Sequence, residues 1–169
     1  GGNSMTQKKW IALLVGSMVM LVVAYGLGFR WNFTHSVPTG LWRLEDGAIQ
    51  RGDYVQVSPN NLPWYRFGVE REYYRDEVPL LKKVVALEGD VISLDVIKQS
   101  VTVDGIHVSL SEWRSRDIVG RVMPSPSFPI RLKPGEAWLA SENERGYDSR
   151  YFGPVPTRLL RRVMLIFKM

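Results

Sequence analysis

A serine and a pair of lysines are the residues of this chain whose types and spacing suggest chemistry. Ser36 lies in the run THSVPTGLW, and Lys82 and Lys83 lie downstream in the apolar pattern LLKKVVAL. A serine hydroxyl becomes an effective nucleophile when a neighbouring base takes its proton. A lysine amine can be that base only when it is neutral, and burial favours the neutral form by lowering a pKa that is normally about 10.4. The sequence therefore indicates nucleophilic chemistry by a serine and a lysine.

Histidine is the other common base, but His35 is badly placed for this role. Side chains of adjacent residues in an extended chain point to opposite faces, so His35 is expected to point away from the Ser36 hydroxyl. The chain contains no cysteine and only one further histidine, His107. Thiolate nucleophiles, disulfides and cysteine zinc sites are thereby excluded, and a histidine metal centre is disfavoured. We expect neither a metal nor another cofactor.

The two lysines are expected to lie on opposite faces of one strand. A period of two places Lys82 on the face of Leu80 and Val84, and Lys83 on the other face. One lysine can then be buried while its neighbour remains solvated, and the pattern alone does not decide which. The non-catalytic alternative is that both lysines protect an edge strand from aggregation.

The N-terminal part of the chain predicts a membrane anchor. The 20 residues from Trp10 to Phe29 carry no charge, and as a helix about 20 residues span roughly 30 Å of hydrocarbon. This is longer than the apolar region of a signal peptide, about 7 to 15 residues. We predict residues 1–9 to be a vector-derived remnant and a cytoplasmic tail, 10–29 a transmembrane helix, and 30–169 an extracytoplasmic domain.

The remaining chain is predicted to be mainly β, with short strands of period two separated by turn signals. The clearest hairpin is VTVDGIHV, in which Asp104 and Gly105 suit a type I′ turn. A short helix is expected after position 61, and an irregular loop at 111–129. The net charge of +5 comes from dispersed basic residues without a recognisable nucleic-acid module, so a nucleic-acid partner is not expected.

Four segments resemble, in order, the conserved boxes of the signal peptidase I family. THSVPTGLW resembles the serine box, RGDYVQV the next strand, LLKKVVALEGD the lysine box and ASENERGYDSRYFGPVP the last box. Gly40, after Pro-Thr, makes the chain more similar to the conjugative-transfer (TraF-type) branch. The resemblance implies a mainly β, signal-peptidase-like catalytic domain with one N-terminal transmembrane helix.

Matched position by position, the resemblance makes Ser36 the catalytic nucleophile and Lys82 the general base. Thr34 falls where relatives place a hydroxyl residue that binds the oxyanion together with the backbone N–H of Ser36. Lys83 falls where the family usually has arginine and is expected to support the site structurally.

The last box implies that Asp148 and Arg150 form a buried or half-buried brace near the lysine strand. The chain departs from the family at Gly146, where many relatives carry a serine that orients the lysine. A second departure is SEN in place of Gly-Asp-Asn. The lysine is then expected to be positioned by Asp148, a backbone carbonyl or water.

The resemblance implies an endopeptidase that removes leader peptides from exported precursors through an acyl-enzyme. Its expected location is the bacterial inner membrane, with the catalytic domain on the periplasmic side. The expected partners are the lipid bilayer and a precursor protein, propilin of a conjugative type IV secretion system, with cyclisation of the pilin left open. One alternative is a non-catalytic, membrane-anchored β-domain of the transfer apparatus. A self-cleaving protein of the LexA type is disfavoured by the anchor and by the lack of a helix-turn-helix.

Overall fold

The computed structural model describes residues 2–59 and 61–169, so Gly1, part of the predicted remnant, lies outside the described residues. Within them, a long N-terminal helix leads into a mainly β domain. The elements are α1 (Gly2–Gly26), β1 (Phe29–Asn32), β2 (Gly40–Glu45), β3 (Tyr54–Val57), α2 (Pro63–Glu70), β4 (Leu80–Leu87), β5 (Val91–Asp95), β6 (Ser100–Val103), β7 (Ile106–Glu112), β8 (Ile130–Arg131), β9 (Glu136–Ala140), α3 (Ser149–Phe152), β10 (Val155–Pro156), a 3₁₀ turn (Thr157–Leu159) and β11 (Leu160–Lys168).

The α1 helix covers residues 10–26 of the predicted span, 10–29, and has different ends. Its segment Thr6–Gly26 is long and apolar enough to cross a membrane, and its side chains are largely exposed. The ring of Tyr25, near its end, packs against the guanidinium of Arg30 in β1. The helix ends at Gly26 rather than Phe29, because Gly28 adopts a φ of +88° and accepts a hydrogen bond from the Leu44 N–H at 2.9 Å. The helix also begins at Gly2 rather than Trp10, since polar residues such as lysine and glutamine are good helix formers.

The strands form two antiparallel sheets. The larger sheet has the order β1-β2-β11-β3-β4-β9-β10, and the smaller has the order β7-β6-β5-β8. The β4 strand lies near the centre of the larger sheet, and the turn at Gly89, with a φ of +90°, carries the chain from β4 into β5 of the smaller sheet. The predicted hairpin at Asp104 and Gly105 is confirmed, with both residues at positive φ between paired strands β6 and β7.

The core of the domain is packed on one face of β3, β4 and β9. It includes Val55, Val57, Val84 and Leu139, all fully buried. Along β4 the burial alternates without interruption from Leu80 to Leu87. The core face of the strand is therefore the face that also carries Lys82.

The two predicted excursions from the β pattern are present. The short helix is α2, which begins with proline at its first turn, where a missing N–H costs nothing. The 111–129 region is mostly irregular after β7 ends at Glu112, and an isolated bridge joins Arg116 to Val122. Both excursions lie beside the cleft described below.

Candidate functional site

Ser36 lies in the loop between β1 and β2, and the side chain of Asn32 fixes this loop from within. The Nδ2 of Asn32 donates toward the carbonyl oxygens of Thr34, Val37 and Pro38 at 2.9, 3.3 and 3.1 Å. Its Oδ1 accepts from the N–H and the hydroxyl of Thr34 at 3.1 and 2.7 Å. Because Asn32 is only 5% exposed, these bonds are shielded from water and hold the backbone on both sides of Ser36.

The reactive groups of Ser36 face a cleft of about 880 Å³. Its carbonyl oxygen accepts a hydrogen bond from the Glu142 N–H at 2.6 Å, which ties the loop to the chain after β9. Within the part of the chain that the structure describes, neither the hydroxyl nor the N–H of Ser36 has a hydrogen-bond partner, so both are available to a ligand. His35 is exposed and makes no hydrogen bond to any described residue.

Lys82 lies on the core face of β4 and is 4% exposed, whereas Lys83 points to the other face. Burial lowers the pKa of Lys82 from 10.5 to about 8; the negative charge of Asp148 opposes this change and the positive charge of Arg150 adds to it. At pH 7 about a tenth of the amines are then neutral. The structure therefore separates the two lysines, which the sequence pattern left equivalent.

The amine of Lys82 donates a hydrogen bond to the hydroxyl of Ser141 at 2.7 Å. Among the described residues no hydrogen bond joins Lys82 to Ser36. The two side chains line the same cleft, and the adjacent residues Ser141 and Glu142 connect them, because Ser141 holds the amine while the N–H of Glu142 holds the Ser36 carbonyl.

Gly146 leaves the space that the Ser141 side chain occupies. A Cβ added at Gly146 would collide with the Cβ and Oγ of Ser141. The serine that contacts the lysine is therefore supplied from the second position of the last box, and the glycine at the expected serine position accommodates it. The N–H of Ser141 donates to Asp148 Oδ2 at 2.9 Å, which fixes the residue.

Asp148 and Arg150 form a fully buried bidentate pair. Arg150 Nε and Nη2 donate to the two carboxylate oxygens of Asp148 at 2.8 and 2.9 Å. The remaining donors of the guanidinium bind backbone carbonyls, including those of Glu112 at 2.8 Å and Gly146 at 2.9 Å. The pair thus holds the turn that carries Ser141 and Gly146 against the end of β7.

Lys83 belongs to a separate polar cluster on the face of β4 opposite Lys82. Its amine lies 3.3 Å from Glu142 Oε1, and the Tyr54 hydroxyl donates to the same oxygen at 2.5 Å. Burial and the bond to Glu142 raise the pKa of Tyr54 to about 12. The N–H of Glu142 also binds the Ser36 carbonyl, so Glu142 links Lys83 to the serine loop. The Lys83 side chain itself does not line the cleft.

Aromatic side chains form one wall of the cleft. Tyr73, Tyr74, Tyr147 and Tyr151 line it together with Met123, and the tyrosine rings pack against one another at centroid distances from 5.2 to 6.4 Å. The opposite wall is the serine loop and the first residues of β4. The cleft therefore has the dimensions and the apolar surface suited to an extended peptide.

Asn32, Ser141 and Glu142 were not identified from the sequence, although each contacts a predicted site residue. Ser141 could have been singled out, since it begins SEN, the second departure from the family pattern. Asn32 lies just before the serine box, and its role depends on the closed shape of the loop. Glu142 acts through its backbone N–H, which no sequence pattern shows.

This chain is similar to known signal peptidases and conjugal transfer proteins. The family model of signal peptidase, peptidase S26, matches residues 5–165. The conjugal transfer protein TraF of Agrobacterium fabrum is 36% identical over 152 residues, which are 85% of this chain and 82% of that protein. A plasmid transfer protein TraF of Escherichia coli is 30% identical, with 87% of each chain covered. A solved signal peptidase I from Enterococcus faecalis is 16% identical, with 71% of this chain and 99% of that chain covered and a TM-score of 0.43.

Proposed function

Because the chain belongs to the peptidase S26 family of signal peptidases, we propose that it is a membrane-anchored serine endopeptidase that removes leader peptides from exported precursors. The observation that carries this proposal is the Lys82 amine, which is buried in the cleft that Ser36 faces and has a pKa lowered to about 8. A lysine buried for structural reasons alone would be costly, since burial of its charge is unfavourable. A lysine that acts as a general base must be neutral, and burial favours the neutral amine.

In the proposed mechanism the neutral Lys82 amine takes the proton of the Ser36 hydroxyl as Oγ attacks the scissile carbonyl carbon. The resulting ammonium then gives this proton to the departing amine, which leaves an ester between Ser36 and the leader peptide. Water attacks the ester, Lys82 takes a proton from it, and Ser36 is restored. The amine must leave Ser141 to reach Ser36, and the adjacent residues Ser141 and Glu142 hold these two groups in place.

The oxyanion is proposed to bind the N–H of Ser36 and the hydroxyl of Thr34. The Ser36 N–H has no partner among the described residues and is ready to donate. The Thr34 hydroxyl donates to Asn32 at 2.7 Å, so it must rotate away from Asn32 to reach the oxyanion. The N–H of Thr34 still binds Asn32 after this rotation, which keeps the loop in place.

The substrate is proposed to bind as an added strand beside the first residues of β4. The pairing between β4 and β9 begins at Lys83, whereas β3 pairs with β4 from Leu80 onward. The β9 side of Leu80–Lys82 therefore has no strand partner in the described part of the chain. Backbone groups at such an edge bind extended peptides.

The proposed substrate is propilin of a conjugative type IV secretion system. It is supported by the similarity to proteins named conjugal and plasmid transfer protein TraF. We place the catalytic domain on the periplasmic side of the inner membrane, with residues 1–9 in the cytoplasm and the apolar part of α1, up to Gly26, in the bilayer. Phe29, the last residue of the predicted span, is paired with Arg43 in the sheet and belongs to the domain. A cyclic pilin would require a different cut, in which the pilin's own carbonyl forms the ester with Ser36, a C-terminal segment departs as the amine, and the pilin's N-terminal amine then attacks the ester and restores the Ser36 hydroxyl.

The decisive experiment compares precursor processing in membranes that contain the wild-type chain or its Ser36→Ala variant. Mass spectrometry of the N-termini of exported proteins is expected to show a leader-bearing precursor that accumulates only with Ser36→Ala. Ser127→Ala, a change at an exposed loop serine, is the matched control and is expected to process normally. Undiminished processing by Ser36→Ala would favour the alternative, a non-catalytic assembly protein.

Removing the Ser141 hydroxyl is expected to slow cleavage through loss of lysine positioning. Ser141→Ala should reduce kcat by about 10²-fold with little change in KM, because displacement of a catalytic group by about 1 Å has effects of this size. The exchange variant, Ser141→Gly with Gly146→Ser, places a serine at the position that the family resemblance implies and should recover much of the rate. Steady-state kinetics on the identified precursor test both outcomes. Equal activity of Ser141→Ala and wild type would exclude this role.

A further inference from the structure

Gln56 is a buried polar residue of the cleft for which the mechanism above has no use. It lies on β3, is 8% exposed and lines the same cleft as Ser36 and Lys82. Its carboxamide makes no hydrogen bond to any residue that the structure describes. A carboxamide offers two donor hydrogens and an acceptor oxygen. Neither Nε2 nor Oε1 of Gln56 is among the fully buried described atoms that lack a partner, so both reach the open space of the cleft.

Several other polar side chains of the cleft are already paired within the protein. Lys82 donates to Ser141, Asn32 binds the serine loop, and the Tyr73 hydroxyl donates to Asp117 at 2.8 Å. Gln56 differs from these groups because its carboxamide binds none of the described residues and is accessible from the cleft, where a ligand can meet it. Its neighbours along the sheet are Leu81 on β4 and Arg161 on β11.

The position of Gln56 determines which part of a bound peptide it can reach. The peptide is proposed to pair with the free edge of Leu80–Lys82, while β3 pairs with the opposite edge of β4. The peptide backbone and β3 are then two strand spacings apart, roughly 10 Å, which is beyond hydrogen-bond distance. Only a side chain of the peptide that extends across Leu81 can meet the carboxamide.

We propose that Gln56 is a specificity-determining residue that recognises an uncharged amide side chain, best a glutamine, at one position of the precursor near the cut. This inference rests on the proposed function. A glutamine has an apolar stem that packs on Leu81 and a carboxamide that exchanges two hydrogen bonds with Gln56. The recognised residue lies on the Leu81 face of the peptide, opposite the face that Lys82 occupies.

The test uses the full chain in detergent micelles and a positional-scanning library of extended peptides. At each position glutamine is compared with methionine, which is similar in length but lacks the amide. The wild type is expected to cut the glutamine peptide at least about tenfold faster at one position, because a site built to bind a polar group discriminates against an analogue without it. Gln56→Met should remove this preference, so that the variant cuts the glutamine and methionine peptides at equal rates.

Two further measurements keep the result interpretable. Gln56→Glu preserves the shape of the residue and is expected to lose most of the glutamine preference, which guards against misfolding of Gln56→Met. Binding of the same peptides to the Ser36→Ala protein, measured by fluorescence polarisation, reports recognition without chemistry. The inference is wrong if the wild type shows no glutamine preference, or if the preference survives in Gln56→Met.

The two proposals fail in different ways. Cleavage that depends on Ser36 but not on Gln56 overturns the specificity role and leaves the peptidase function intact. Binding that depends on Gln56 without any cleavage overturns the peptidase function and leaves the recognition role intact. Absence of both binding and cleavage overturns both.

Discussion

Lys82→Ala is expected to reduce the rate of precursor cleavage by about 10³-fold or more, whereas Lys83→Ala should retain the rate within a few-fold. Loss of a general base alone typically costs about 10² to 10⁴-fold. The two lysines are adjacent in sequence and differ in surroundings, since Lys82 is 4% exposed in the cleft while the Lys83 side chain is 37% exposed beside Glu142. Cleavage kinetics of the two variants on one precursor provide a matched comparison. An equal loss in both would contradict the assignment.

The rate of the wild type should follow the titration of Lys82. With a pKa of about 8, the neutral amine increases through pH 7 and 8 and reaches a plateau above pH 9, so the rate is expected to rise in the same range. Lys82→Arg keeps its charge throughout this range and should remain inactive at every pH. A rate that is constant from pH 6 to 10 would show that no such base is involved.

The same titration has a consequence for stability that does not depend on activity. In the folded chain the pKa of Lys82 is about 8, below its value of 10.5 without burial, so the unfolded state binds more protons between these two values. The cost of burying the charge is present below pH 8 and disappears as the pH rises to 10.5. At about 1.36 kcal/mol per pH unit the total is roughly 3 kcal/mol. The free energy of unfolding relative to Lys82→Met should increase by about this amount over the range.

Much of this fold could be predicted from the strand pattern and the turn signals, because both depend on local sequence. The hairpin at Asp104 and Gly105 needs only its turn residues and flanking strands, and it was predicted correctly. The limits of α1 were less accurate, since hydropathy identifies the apolar part of a helix and not its ends. The backbone turn at Gly28, which ends the helix region, depends on a contact with Leu44 in β2.

Which of the two lysines is buried could not be predicted from the local sequence. Period two placed Lys82 and Lys83 on opposite faces, but which face is the core depends on what packs against β4. Lys82 meets Ser141, 59 residues away, and Lys83 meets Glu142, also 59 residues away. Contacts of this separation follow from the sheet order, which the sequence pattern did not provide. The family resemblance implied that Lys82 is the catalytic lysine, which stays a prediction; the geometry shows that Lys82 is the buried member of the pair.

The departure at Gly146 is explained only by the folded chain. From the sequence it appeared as a missing serine, and Asp148, a backbone carbonyl or water was expected to position the lysine. Asp148 does take part, but indirectly, because its carboxylate binds the N–H of Ser141 and the hydroxyl of Ser141 binds Lys82. A substitution that removes a group at one position and supplies it from another is visible only when both positions are seen in space.

Arg150→Met is expected to lower the free energy of unfolding by about 3 to 5 kcal/mol, the usual cost of leaving one member of a buried ion pair without its partner. Asp148 and Arg150 are 0% and 2% exposed, so water cannot replace the lost bonds. The guanidinium also binds the carbonyls of Glu112 and Gly146, which would lose a donor. Urea unfolding monitored by tryptophan fluorescence measures the change. Arg51→Met is the control at the surface, where the bond to Asp90 should be worth no more than about 1 kcal/mol.

The double variant Asp148→Asn with Arg150→Met separates the cost of an unpaired charge from the value of the pair. If most of the loss in Arg150→Met comes from the isolated Asp148 carboxylate, the double variant should be more stable than Arg150→Met alone. The single variant Asp148→Asn also removes the negative charge that raises the pKa of Lys82. The rise of its cleavage rate with pH should therefore occur at lower pH than in the wild type. Arg150→Met stability equal to wild type would mean that the carbonyl contacts and the ion pair contribute nothing. The turn holding Ser141 would then need another support.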